Sequence, residues 1–211
     1  MTSTTIELYE SLNEFAIQRE GEWDQIPDTR RDELKQMAGY IRDSISKSGS
    51  VQLTFICTHN SRRSHLTQIW AKAAADRMGL TGVQTFSGGT ETTAMNSRVA
   101  SALKRCGFQI TQEKEDATNP VYAVRYSDDA DPLLCFSKVF HEAPNPKSDF
   151  AAVMTCSSAD EACPIVPGCD LRLPIQYEDP KVSDGTDVES ATYDERNRQI
   201  AREMLYAISL V

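Results

Sequence analysis

The chain has 211 residues, 40% apolar and 25% charged, a composition that fits one sizeable domain with a substantial core. A formal net charge of −9 repels nucleic acid and anionic membrane, so neither is expected as a partner. It also repels an anionic substrate at long range, so an anion site here has to work through short, directed hydrogen bonds.

The opening "MTSTTIELYE" lacks a basic segment followed by an apolar run, and no stretch reaches transmembrane length. A soluble, cytoplasmic protein is expected. Residues 5–18 carry Leu8, Leu12 and Phe15 at helical spacing. Residues 29–47 repeat the pattern with Leu34, Met37, Ile41 and Ile45, with Asp28 and Thr29 as candidate caps and Gly49 as the stop. Residues 1–50 therefore read as a helical N-terminal extension packed on a domain spanning 51–211.

Residues 51–57, "VQLTFIC", form a near-continuous apolar and β-branched run of the kind buried in a parallel sheet. A helix follows over 63–78 with Leu66, Ile69, Trp70, Ala73 and Ala74 inward. "GVQTFSGG" predicts a second strand, and residues 96–106 a second helix with Val99, Ala102 and Leu103 inward. This β-α-β-α order points to an α/β fold with helices on the faces of a parallel sheet. Residues 121–126 and 133–140 then read as a β-hairpin or flap inside an insert, 119–148. The sheet resumes at 149–156, a short helix follows, and 170–177 supplies a last strand whose Pro174 favours an edge. Residues 192–209 predict the final helix, after a long polar loop, "EDPKVSDGTDVES".

Six cysteines stand at positions 57, 106, 135, 156, 163 and 169, too sparse for a disulfide scaffold. There is no C-x2-C, and His59, His65 and His141 lack ligand spacing, so no metal is expected. No cofactor is expected either. The bland reading is six buried thiols, and it holds for Cys135, which sits inside the hairpin.

The segment Cys57–Ser64 has the form C-x5-R-S and lies where a strand ends and a helix begins. Several amides at such a junction lack internal partners and can wrap an anion at the positive end of the helix dipole. Cys57 at the bottom of that nest favours the thiolate. Arg63 can grip two oxygens at once, Ser64 can donate to the sulfur, and Asn60 tolerates a positive φ. Thr58, His59, Asn60, Ser61, Arg62, Arg63 and Ser64 are the candidate oxyanion-binding residues.

"FICTHNSRRS" resembles the catalytic loop of the low-molecular-weight protein tyrosine phosphatase superfamily, which includes the thioredoxin-coupled arsenate reductases. The resemblance spans about 51–118 and 149–209. It implies a three-layer sandwich around a four-stranded parallel sheet, with the helical extension and the hairpin as additions. His59 stands where the family commonly has glycine, and Arg62 where the reductases often have cysteine. Gln68 replaces a glutamate of a potassium site found in some reductases, so that ion is not expected.

"VMTCSSADEACPIVP" is similar to the reductase branch, and the resemblance implies that Cys156 and Cys163 form a redox pair. Seven residues on a helix rise about 10 Å, whereas a disulfide needs Cα atoms about 4.4–6.8 Å apart. Oxidation of that pair therefore requires the segment to unwind. Cys169, in "PGCD", lies outside the pattern as a bystander or alternative resolving thiol. "YEDPK" resembles the family's Asp-Pro loop and implies Asp179 as general acid.

The implied reaction is reduction of arsenate by Cys57, Arg63, Asp179, Cys156 and Cys163, with thioredoxin as reductant. A phosphatase using Cys57, Arg63 and Asp179 on a phosphate-like substrate is the alternative. A non-enzymatic oxyanion-binding or redox-sensing module is a further one.

Overall fold

Strand β1 (Val51–Cys57) lies inside a four-stranded sheet of order β2-β1-β6-β7, and all of its pairings are parallel. The partners are β2 (Val83–Gly89), β6 (Phe150–Met154) and β7 (Cys169–Pro174). The description comes from a computed structural model and covers residues 5–113, 118–163 and 165–211. β1 and β6 are buried along almost their whole length, as their apolar sequences require. β7 is one of the two edge strands, and Pro174 closes it opposite Met154, where a missing amide costs no inner ladder bond.

One sheet face carries Val51, Leu53, Phe55, Ala151, Val153 and Leu173 into the main core. That core is completed by helices α1 (Glu10–Glu20), α2 (Asp28–Ser48), α3 (Arg63–Arg77), α4 (Ser97–Arg105) and α6 (Glu189–Ser209). The opposite face presents Ile56, Phe150, Ala152 and Met154. It is covered by the short helix α5 (Ser157–Ala162), Phe140 and Val166.

The two N-terminal helices share this core. Leu12, Ala16, Leu34, Met37 and Ile41 are fully buried or nearly so. Trp70 joins three elements: it stacks on Phe15, meets Phe108 edge-on at 5.1 Å, and donates its indole N–H to Asn197 Oδ1 at 2.7 Å. Helix α2 begins after Pro27, and neither Asp28 nor Thr29 caps it; Asp28 instead places its charge in the first turn. Gly49 ends the helix with φ 77°, in the left-handed region, and its amide bonds to Ile45 O at 2.8 Å. Asn96 caps α4 by accepting the Arg98 amide.

The expected hairpin is corrected. Strands β4 (Tyr122–Arg125) and β5 (Leu133–Cys135) do pair antiparallel, but β3 (Gln109–Gln112) joins them in a three-stranded sheet of order β3-β4-β5. The second arm stops at Cys135. From there the chain returns to the main sheet, where Val139 bridges Gly89: Lys138 O accepts the Gly89 amide and the Phe140 amide donates to Gly89 O, each at 2.9 Å. No helix is long and apolar enough to cross a membrane, among the described residues.

Leu12→Ala should remove about 2–5 kcal/mol of stability, measured by urea denaturation, because it opens a cavity between α1 and the rest of a shared core. An unfolding curve unchanged by this substitution would mean that α1 is not part of that cooperative unit.

Candidate active site

The loop after β1 is held open from outside. Cys57 O accepts the Thr90 amide at 3.2 Å, and Thr58 O accepts the Glu91 amide at 2.8 Å. His59 O accepts the hydroxyls of Ser137 and Thr93, and Ser61 O accepts the Asn96 amide at 2.9 Å. The loop carbonyls are thus occupied by donors on neighbouring segments. Among the described residues, no hydrogen bond takes an amide of residues 58–62 as its donor. Those amides, with the first amides of α3, are what the loop can offer an anion. Gly89 makes the close approach possible, since a Cβ there would stand 2.7 Å from both Asn60 N and Thr58 O.

Asn60 adopts φ 44° and is fully buried. Its side chain works in both directions, donating to Ser64 Oγ at 2.9 Å and accepting the Lys138 amide at 3.0 Å. Ser64 Oγ lies 3.1 Å from the Cys57 sulfur, which is itself only 3% exposed. One hydrogen-bonded chain therefore runs from the insert through Asn60 and Ser64 to the sulfur.

Arg63 donates to Tyr177 O at 3.0 Å and to Asp179 Oδ2 at 2.6 Å. Its Nε is buried and has no protein partner among the described residues, leaving a donor for an oxyanion. Asp179 opens a short 3-10 helix, Pro180–Ser183, by accepting the Lys181 amide. The arginine and the carboxylate are thereby closed on each other.

Arg62 turns elsewhere. Its guanidinium donates to Tyr193 Oη at 2.7 Å and to Asp184 Oδ2 at 3.1 Å, and Tyr193 donates to Asp184 Oδ1 at 2.8 Å. What Arg62 can offer an anion is its backbone amide. Burial, ahead of the opposing bond from Arg62, pushes the Tyr193 phenol up to about 12. The His59 side chain is half exposed and sits 3.6 Å from the Glu91 carboxylate.

Cys156 lies at the end of β6, against the same loop. Its sulfur is 3.5 Å from Thr58 Oγ1 and accepts the Ala159 amide at 3.4 Å, so it caps α5. It is 1% exposed. Cys163 follows the far end of α5, and it and Cys169 pack against the small cluster that holds Cys57 and Cys156. Cys106 and Cys135 are different: burial pushes each thiol up to about 12, which keeps both protonated and inert.

A groove of about 930 Å³ opens at the site, lined by Arg63, Asp179, Ser157, Asp160 and Gln176 together with Arg30 from α2. Arg30 donates to Gln176 O and lies over the Tyr177 ring at 5.1 Å, so the N-terminal helices reach the segment leading to Asp179. Sequence reasoning missed Arg30, Arg172, Gln176, Asp184 and Tyr193. No cluster of three or more His, Cys, Asp or Glu side chains is placed to hold a metal ion, among the described residues.

No family model matches the chain. It is similar to the arsenate reductase of Bacillus licheniformis, 24% identical over 145 residues that cover 68% of this chain and 84% of the relative. It is also similar to the arsenate reductase of Bacillus subtilis, 25% identical with the same coverage of both chains. In solved structures it shares the fold of a low-molecular-weight protein tyrosine phosphatase from T. tengcongensis. That match has a TM-score of 0.51 at 16% identity and covers 77% of this chain and all of the other.

Behind the loop, His65 is fully buried beside Ser87, and burial, reinforced by the Lys138 charge, lowers it to about 3. Burial likewise lowers the Lys138 ammonium, to about 8. Below its unfolded pKa, the unfolded chain binds a proton at His65 that the folded protein refuses. His65 therefore withdraws stability progressively as pH falls from about 6.5 towards about 3. Urea titrations at about pH 7 and about pH 4.5 should show the unaltered protein losing about 2 kcal/mol more than His65→Gln over that interval. Equal losses would mean that His65 is not held neutral.

Proposed function

We propose that this chain, which belongs to the low-molecular-weight protein tyrosine phosphatase superfamily, reduces arsenate to arsenite through a relay of Cys57, Cys156 and Cys163. The observation that carries the reading is the second sulfur: Cys156 lies against Thr58 of the anion loop and shares a small buried cluster with Cys57. A phosphatase has no use for a thiol there.

Arsenate enters the nest of amides from 58–62 and the Nε of Arg63. Its arrival competes with the Arg63–Asp179 pair, and the released carboxylate takes up a proton from the acidic form of arsenate and then serves as acid. Cys57 attacks arsenic as the thiolate, with the Ser64 hydroxyl steadying the sulfur, and Asp179 gives a proton to the departing oxygen. Cys156 supplies the next thiol, its sulfur held against the Thr58 hydroxyl at 3.5 Å and by the Ala159 amide at 3.4 Å. It attacks the Cys57 sulfur. The electron pair of the sulfur–arsenic bond stays with arsenic, which leaves as arsenite, and a Cys57–Cys156 disulfide remains. Cys163 then attacks Cys156, returning Cys57 as a thiol and leaving a Cys156–Cys163 disulfide. A thioredoxin-type dithiol reduces that bond, a step suited to the reducing conditions of the cytoplasm.

Arsenate-dependent NADPH oxidation, with thioredoxin and thioredoxin reductase supplied, tests this beside hydrolysis of para-nitrophenyl phosphate. Cys57→Ser should abolish both activities. Cys156→Ser and Cys163→Ser should lower sustained arsenate turnover by about 100-fold or more while leaving phosphate ester hydrolysis at its unaltered level. Full arsenate turnover in either serine variant would sink the relay. Efficient ester hydrolysis without arsenate turnover would favour the phosphatase. Anion binding with neither activity would favour a binding module.

A further inference from the structure

Helix α5 has six residues, too few to sustain itself without external ties. Its start is capped by the Cys156 sulfur. Its other end is gripped by Arg172, from β7. Arg172 Nη2 donates to Asp160 O at 2.6 Å and also to the Asp160 carboxylate, and Nε donates to Cys163 O at 3.1 Å. Gln176 donates to the other Asp160 oxygen at 2.9 Å. One guanidinium thus holds two late carbonyls and a carboxylate of the segment between the two relay thiols. A cation at a helix C-terminus is also favoured by the helix dipole.

These bonds depend on the helix being wound. A Cys156–Cys163 disulfide needs Cα atoms about 4.4–6.8 Å apart, whereas the wound segment separates them by about 10 Å. The disulfide and the Arg172 grip on both carbonyls therefore exclude each other. An interaction made in one state only shifts the equilibrium towards that state.

We propose that Arg172 is a positioning residue that latches the α5 segment in its wound, dithiol form and lets go as the Cys156–Cys163 disulfide closes. Gln176 acts with it by fixing the Asp160 carboxylate. The latch keeps Cys163 away from Cys156 until a bond from Cys57 has drawn Cys156 out of its capping position. It also makes the finished disulfide easier to reduce. The proposal rests on the relay reading above only in requiring that Cys156 and Cys163 pair.

The test is equilibration of the full chain with mixtures of reduced and oxidised dithiothreitol. The two thiols give up two protons and two electrons, and oxidised dithiothreitol takes them as its own disulfide opens to two thiols. Acid quenching, alkylation and peptide mass analysis then report the fraction of Cys156–Cys163 disulfide. Arg172→Gln should shift this equilibrium about tenfold towards the disulfide, about 30 mV for the two-electron couple. Arg172→Lys should fall between that variant and the unaltered protein, and Gln176→Ala should move in the same direction by less. In the reduced state, amides of 157–163 should exchange faster in Arg172→Gln, while phosphate still protects Cys57 from iodoacetamide. If Arg172→Gln does not fold, the Arg172→Lys and Gln176→Ala shifts decide. Equal equilibria in all folded variants, with the disulfide forming normally, would overturn the latch and leave the relay standing. Failure of the unaltered protein to form the disulfide would overturn both.

Discussion

An anion can be bound by main-chain amides only if the carbonyls of the same residues are satisfied elsewhere, because otherwise the peptide units turn to bond each other or water. In this protein that constraint is met from three sides. The turn after β2 supplies Thr90 and Glu91, the start of α4 supplies Asn96, and the returning insert supplies Ser137. Each donor lies far along the chain from the loop it serves. The sheet, the α4 cap and the insert are therefore all conditions for the loop's shape, and the positive φ of Asn60 persists because its side chain is bonded at both ends.

The adjacent arginines divide the electrostatic work. Arg63 bonds Tyr177 O and Asp179, whereas Arg62 is spent on Asp184 and Tyr193, which tie the acidic loop after β7 to α6. A chain with a net charge of −9 attracts no oxyanion from a distance. Its selectivity has to come from the short list of donors that remain unclaimed once Asp179 and Asp184 have taken theirs.

Much of this was legible in the sequence because it is local. Residues 51–57 read as a strand and are one, Asn60 takes the left-handed backbone its residue type allows, and the Ser64 hydroxyl lies 3.1 Å from the Cys57 sulfur. β3 escaped notice because four residues, mostly polar, give no periodic signal. The arm after Cys135 was misread because residues 138–140 pair with Gly89 rather than with the hairpin. Arg30 meets Gln176 across 146 positions of sequence, a separation at which no local pattern carries information. Arg172 did leave a trace. A lone charge between Leu171 and Leu173 on a strand asks for a buried or half-buried acceptor, and Asp160 with the end of α5 provides it.

The hold of Arg30 on the residues leading to Asp179 bears on how such a chain can change over time. An added helix that merely rested on an old domain could be discarded again without penalty. Once its arginine holds the backbone that leads to Asp179, discarding it disturbs that segment as well as the packing, and the embellishment has become obligatory.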